Sequence, residues 1–213
     1  GKQITLRDIK NQVGEKYLRE ISPKVWYLAS NLYLRSGVTL ELDNNEVTWL
    51  KMASNKDKFV ALRAFSGTIM INGVKITSWD EKKNDVDSNY EDGRSFILVK
   101  DGSRMDIVNS ELAYLGYARP IEVPYSTYGV SWKMSNGILG TTLLTGDVVK
   151  SKFHHNYFGA YTFGATGMTW KDNEFFDNIR YGLDPHDDSN GFLIENNKFY
   201  RNGAHGLILS KRC

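Results

Sequence analysis

Asn173-Glu174-Phe175-Phe176-Asp177-Asn178-Ile179-Arg180-Tyr181-Gly182 returns 24 positions later as Asn197-Lys198-Phe199-Tyr200-Arg201-Asn202-Gly203-Ala204-His205-Gly206. Asn173, Asn178 and Gly182 become Asn197, Asn202 and Gly206, and Phe175-Phe176 becomes Phe199-Tyr200. A looser copy, with Phe153, Asn156 and Gly159, stands about one coil earlier, and Tyr128-Gly129-Val130 marks the copy before that. A period of about 20–30 residues with short strands and no helical pattern signals a solenoid. With two or three short strands per copy, the expected fold is all-β, a parallel β-helix. Apolar residues would stack inward, coil on coil, at about 4.8 Å. Asparagines at equal phase would sit at turns, where side-chain amides can form ladders along the axis.

The rest of the chain fits that reading. Thr5 to Val13 has a capping pair in Thr5 and Asp8, with Leu6, Ile9 and Val13 on one face, so a short N-terminal capping helix is expected. Strands then follow at Val25 to Leu34, Val38 to Leu42, Phe59 to Phe65, Thr68 to Ile71, Val74 to Thr77 and Phe96 to Val99. Turn pairs such as Ser36-Gly37, Asn72-Gly73 and Asp101-Gly102 separate them. Residues 80–93 are charged and poor in apolar groups and read as an exposed loop. No long linker interrupts the 213 residues, so one β-helix domain, 1–213, is expected.

Composition narrows the function. The hydrophobic share is 41% and the net charge +2, with no basic block, so nucleic acid is not an expected partner. No apolar run approaches the length of a membrane span, and residues 1–20 lack the apolar core of a signal peptide. The single cysteine, Cys213, rules out an internal disulfide framework. A monomer is expected.

The repeat also assigns neighbours. With Gly182 set over Gly206, His186 meets Ser210 and Asp188 meets Arg212. Alternation along a strand points Asp184, His186 and Asp188 the same way. Gly159 brings Tyr161 and Phe163 into that column, and Gly129 brings Ser131 and Lys133. Lys133, Tyr161, Asp184, His186, Ser210 and Arg212 would then line one outward groove, suited to an extended acidic polysaccharide. Sugars would stack on Tyr161, and Lys133 or Arg212 would meet carboxylates. Asp187, His205 and Lys211 are further candidate contacts, His205 standing where the earlier copy has Tyr181. Asp184-Pro185 has a plainer reading as a turn, and Lys211-Arg212 as a solvated pair. His154-His155 resembles a metal pair, but neighbours on a strand face opposite ways, so the two are assigned to a turn or the core. Asp187-Asp188 offers too few oxygens for calcium, and no metal or cofactor is expected.

These residues carry a family resemblance. Tyr181-Gly182-Leu183-Asp184-Pro185-His186-Asp187-Asp188-Ser189 resembles the signature of the mannuronan (alginate) C5-epimerases, and Asn202 to Cys213 resembles the stretch that follows it. With Ser78-Trp79-Asp80 and Asn109 to Tyr117 upstream, the chain is most similar to the brown-algal members and their bacterial relatives, over roughly residues 60–213. The resemblance implies a right-handed parallel β-helix that converts β-D-mannuronate to α-L-guluronate within alginate, in an extracytoplasmic or secretory compartment. It implies His186 as the base at C5 and Arg212 as the group that neutralises the substrate carboxylate. Tyr181 would be an acid or base, and Asp184 would orient the catalytic groups. Family members continue for several coils beyond the position of Arg212, so the chain is expected to be truncated at its C-terminal end. Residue types alone leave two alternatives open: a polyuronate lyase acting by β-elimination, and a β-helix that binds polysaccharide without catalysis.

Overall fold

The computed structural model describes residues 1–118, 128–135 and 143–213. Its strands wind into three sheets along one axis. Sheet A has seven strands: Lys2–Ile4, Val38–Asp43, Thr68–Asn72, Arg104–Val108, Asp147–Val149, Thr169–Lys171 and Leu193–Glu195. Sheet C has six: Leu32–Leu34, Ala61–Phe65, Phe96–Lys100, Gly129–Lys133, Phe158–Phe163 and Leu183–His186. Sheet B contains Trp49–Asn55, Lys75–Asp80, Glu111–Ala113, Lys152–His154, Glu174–Phe176 and Lys198–Tyr200 in parallel register. The expected parallel solenoid is what forms.

Inward positions stack as homologous columns. In sheet B, Leu50, Ile76, Leu112, Phe153, Phe175 and Phe199 follow one another. The Phe153 and Phe175 rings stack at 4.9 Å, and those of Phe175 and Phe199 at 5.1 Å. In sheet A, Leu42, Ile71, Ile107, Val148, Trp170 and Ile194 form the matching column. Each such side chain removed from water contributes about 1.5–3 kcal/mol.

The turns are held by side-chain amides. Asn156, Asn178 and Asn202 form one ladder: the Asn156 amide N–H donates to Asn178 Oδ1 (3.1 Å), and Asn178 Nδ2 to Asn202 Oδ1 (2.9 Å). Asn173 and Asn197 form a second, which Ser151 and Ser110 continue toward the N-terminus. The glycines of the repeat have a separate cause. A Cβ on Gly159 would lie 2.2 Å from the Gly182 carbonyl oxygen, and one on Gly182 would lie 2.4 Å from that of Gly206.

The N-terminal helix α1, Leu6–Val13, carries the expected capping box between Thr5 and Asp8. Leu6 and Ile9 are buried against the first coil, whereas Val13 is exposed, so its face is narrower than the spacing implied. Three other expectations need correction. Val25 to Leu34 is not one strand. It turns a corner at 29–31, so Val25–Leu28 joins sheet B and Leu32–Leu34 joins sheet C. Phe59 to Phe65 divides likewise: Lys58–Phe59 folds back antiparallel on Trp49–Asn55, and Ala61–Phe65 enters sheet C. Residues 80–93 are not simply an exposed loop. Asp85–Val86 pairs with Trp79–Asp80, and Asp80 and Asp87 are buried. Asp80 accepts bonds from the Lys82 and Lys83 amides, and Asp87 accepts one from the Ser54 hydroxyl. Arg94, buried behind this segment, donates to the backbone carbonyls of Leu115, Gly116 and His155.

Candidate active site

The last sheet C strand, Leu183–His186, carries the site. Leu183 and Pro185 turn inward, which leaves Asp184 and His186 on the outward face of the strand, Asp184 covered and His186 half-buried. The preceding strand sets Tyr161 beside Asp184 and Phe163 beside His186, and His186 bridges to Ser210 in the following coil. The strand before that sets Ser131 beside Tyr161 and Lys133 beside Phe163. Gly129 pairs with Phe158 rather than Gly159, and a bulge between Gly129 and Ser131 restores the expected register. Lys133, Tyr161, Asp184, His186 and Ser210 are therefore brought together as the repeat indicated.

Asp188 reaches the site another way. Asp187 and Asp188 have φ of 20° and 61°, so the strand ends at His186 and alternation does not extend to Asp188. Arg212, also at positive φ, pairs with Asp188 through Nε (2.6 Å) and Nη2 (2.8 Å). The pair spans two turns, not two strands. Ser189 fixes this turn, donating to the His186 carbonyl (2.8 Å) and sharing a buried 2.8 Å bond with Thr162. Sequence reasoning passed over Ser189, although it stands inside the quoted motif.

The polar groups at the strand end are under-satisfied. Among the described residues, Asp184 Oδ1, His186 Nδ1 and Asp187 Oδ1 are buried with no hydrogen-bond partner. His186 Nδ1 and Asp187 Oδ1 stand 3.3 Å apart, close enough for an ion pair but without hydrogen-bond alignment. Such groups in a native fold call for a cause, and a catalytic role is one. Asp184 is only 2% exposed. Burial pushes its carboxyl up to about 6, against the opposing pull of His186 and a bond from Ser210. Tyr161 is 4% exposed, with the Tyr128 ring stacked on it at 3.6 Å and 4°. Its phenol is raised well above the ordinary range, by burial first and Tyr128 second. Tyr161 therefore cannot be the sugar platform expected of it. The half-exposed ring at this position is Tyr128, with Lys133 Nζ 5.7 Å from its centre.

The family model for the right-handed β-helix region matches residues 66–213. The chain belongs to the right-handed β-helix family. Among similar proteins, this β-helix is 30% identical to the mannuronan C5-epimerase of Pseudomonas fluorescens, over 98% of the chain and 39% of that protein. It is 28% identical to mannuronan C5-epimerase AlgG of Azotobacter vinelandii, over 99% and 40%. A crystal structure of the periplasmic alginate epimerase AlgG superposes with a TM-score of 0.84 at 26% identity, covering 95% of this chain and 47% of that one. The chain spans 38–40% of the length of the curated relatives it matches.

Elsewhere on the β-helix, Lys133 continues the outer face away from His186, with Lys100 one coil further. Burial and the Lys100 charge lower the Lys133 ammonium from its ordinary value. Tyr181 and His205 are stacked on each other at 5.4 Å, and Tyr181 packs edge-on against Phe158. They form their own column at the start of the strand, five positions before His186, so the ring the fold sets against His186 is that of Tyr161, 5.7 Å away. Lys211 is exposed, and its carbonyl accepts from the Asp188 amide.

His154 and His155 correct the expectation that they face apart. His155 has φ of 55°, so the strand ends at His154 and the two Nδ1 atoms meet at 2.8 Å. His154 Nε2 in turn meets Glu111 (3.2 Å). Among the described residues, no three His, Cys, Asp or Glu side chains are gathered as a metal site requires.

Proposed function

We propose that this β-helix carries the catalytic centre of a mannuronan C5-epimerase. The observation that carries the reading is the set of buried, unpaired atoms Asp184 Oδ1, His186 Nδ1 and Asp187 Oδ1 at the end of the strand, with Lys133 along the same face and the Asp188–Arg212 pair in the adjoining turns. Relatives bearing that name along nearly the whole chain support it.

The C5 hydrogen of a uronate is α to a carboxylate, and its loss leaves an enolate-like dianion. Arg212 meets that charge. Asp188 occupies its Nε and Nη2 side, which leaves the end-on pair of N–H groups for the substrate carboxylate. A donor fork already held in place by Asp188 stabilises charge where it develops in the transition state. His186 accepts the C5 proton as general base, a step worth about 10²–10⁴-fold. The Asp187 carboxylate, 3.3 Å from His186 Nδ1, lies where it meets the positive charge the imidazole gains. Asp184, neutral below about pH 6, is a buried acid beside the base. Lys133 and Lys100 lie along the groove and receive further carboxylates of the chain. Tyr181, His205 or water returns the proton to the opposite face. The chemistry requires no cofactor. A polymeric alginate substrate and the periplasmic relative support an extracytoplasmic location. The described residues contain no helix long and apolar enough to cross a membrane.

Product analysis tests the reading. Incubated with polymannuronate, the protein should generate guluronate anomeric signals in the proton spectrum. Unsaturated, ultraviolet-absorbing ends without guluronate would replace it with a lyase. Retention of the polymer with neither product would leave a binding β-helix.

A further inference from the structure

Tyr161 has no access to a sugar, yet its ring is the aromatic surface nearest His186. The two ring centres are 5.7 Å apart at a 35° tilt. The opposite face of Tyr161 is closed by Tyr128, and Phe158 packs edge-on against both rings. Parallel pairing of the two strands fixes the height of Tyr161 at Asp184, two residues before His186. The ring is thus clamped from behind and from the side, and the imidazole lies against its remaining surface.

We propose that Tyr161 is a positioning residue for His186: its ring fixes the imidazole and stabilises the imidazolium formed when the base takes the C5 proton. This rests on the base role given to His186 above. The π-face of an aromatic ring attracts a cation within about 6 Å, and more strongly once water is excluded. The phenol itself is no proton carrier. It is buried, shares a hydrogen bond with Tyr128, and lies near the Asp184 and Asp187 carboxylates, all of which hold it neutral.

Other charges act on His186 as well. Asp184 and Asp187 stand beside it on its own segment, and Asp188 is bound up with Arg212. Lys133 lies on the earlier coil, and Lys211 and Arg212 on the later one. Removing the ring leaves all of these in place, so its contribution can be isolated.

Two variants separate ring from hydroxyl. Tyr161→Phe keeps the π-face, and Tyr161→Leu replaces it with apolar bulk. The His186 imidazole is titrated by NMR in the free protein, and kcat and KM on polymannuronate are measured across pH. For the Phe variant, the titration midpoint and kcat should stay close to wild type. For the Leu variant, the midpoint should fall by about half a unit to one unit, a three- to tenfold loss of proton affinity. Its kcat should drop about tenfold with KM little changed. A His186 midpoint unmoved in the Leu variant, or a Phe variant as impaired as Leu, overturns the proposal. Should Tyr161→Leu fail to fold, phenylalanines of increasing fluorination at 161 keep the shape while draining the π-face. The midpoint must then fall stepwise, and a flat series overturns the proposal. Wild-type protein without epimerase activity would defeat the functional reading alone, since the titration still decides the role of Tyr161.

Discussion

His186 and Asp184 on one strand and Arg212 in a turn divide the proposed reaction, and each has its own signature. Replacing His186 with Gln removes the base at similar volume, and kcat should fall by about 10²–10⁴-fold with KM nearly unchanged. Asp188→Asn weakens the bidentate grip on Arg212, so KM for the polymer should rise while the pH profile keeps its shape. Asp184 makes a prediction about stability. Its folded value, about 6, lies above the ordinary aspartate value. The folded state therefore binds the proton more tightly than the unfolded chain. The stability this group contributes is present at about pH 4 and lost as pH rises to about 6, on the order of 1–3 kcal/mol. In Asp184→Asn that loss should vanish, raising Tm at pH 7 relative to wild type while activity falls, as denaturation at the two pH values would measure. Strand alternation and the repeat made Asp184, His186, Lys133 and Ser210 legible as neighbours. They did not reveal how Asp188 and Arg212 meet, because both sit in left-handed turns where alternation no longer applies. Nor did they show Tyr161 to be buried, since that depends on Tyr128 folding over it.

At the scale of elements, the asparagine ladders do what a sheet alone cannot, tying successive turns together. Asn178 donates to the Phe153 carbonyl and to Asn202, and accepts from the Asn156 amide. Asn178→Ala strands these buried partners and should cost about 2–4 kcal/mol in chemical denaturation. Gly182→Ala drives a Cβ toward the Gly206 carbonyl and should destabilise the same coil. Both effects should lower activity through stability, leaving the pH profile of the remaining folded protein unchanged. The ladder positions were readable because identical residues return at one phase. The corners at 29–31 and at Val60 were not. At Val60 the apolar run continues across the corner, and at 29–31 only Ser30-Asn31 interrupts an otherwise apolar stretch, too brief a signal to show a strand leaving one sheet for another.

At the scale of the molecule, stacked coils present a basic outer track beside a half-buried acid–base centre. The 24-residue period is clear only in the last coils, yet it sufficed to infer the solenoid, because stacked aromatic columns and equal-phase turns admit few other folds. Earlier coils vary in length, and their register emerges only from strand pairing. If Lys133 and Lys100 receive substrate carboxylates, KM for polymannuronate should rise steeply with ionic strength, and less so in Lys100→Gln. The central claim is proton exchange at C5 on this scaffold, and isotope incorporation reads it directly. Polymannuronate treated with the protein in D₂O should yield guluronate units carrying deuterium at C5, and His186→Gln should yield them at least about a hundredfold more slowly. Guluronate formed without deuterium, or formed equally by the His186 variant, would contradict it.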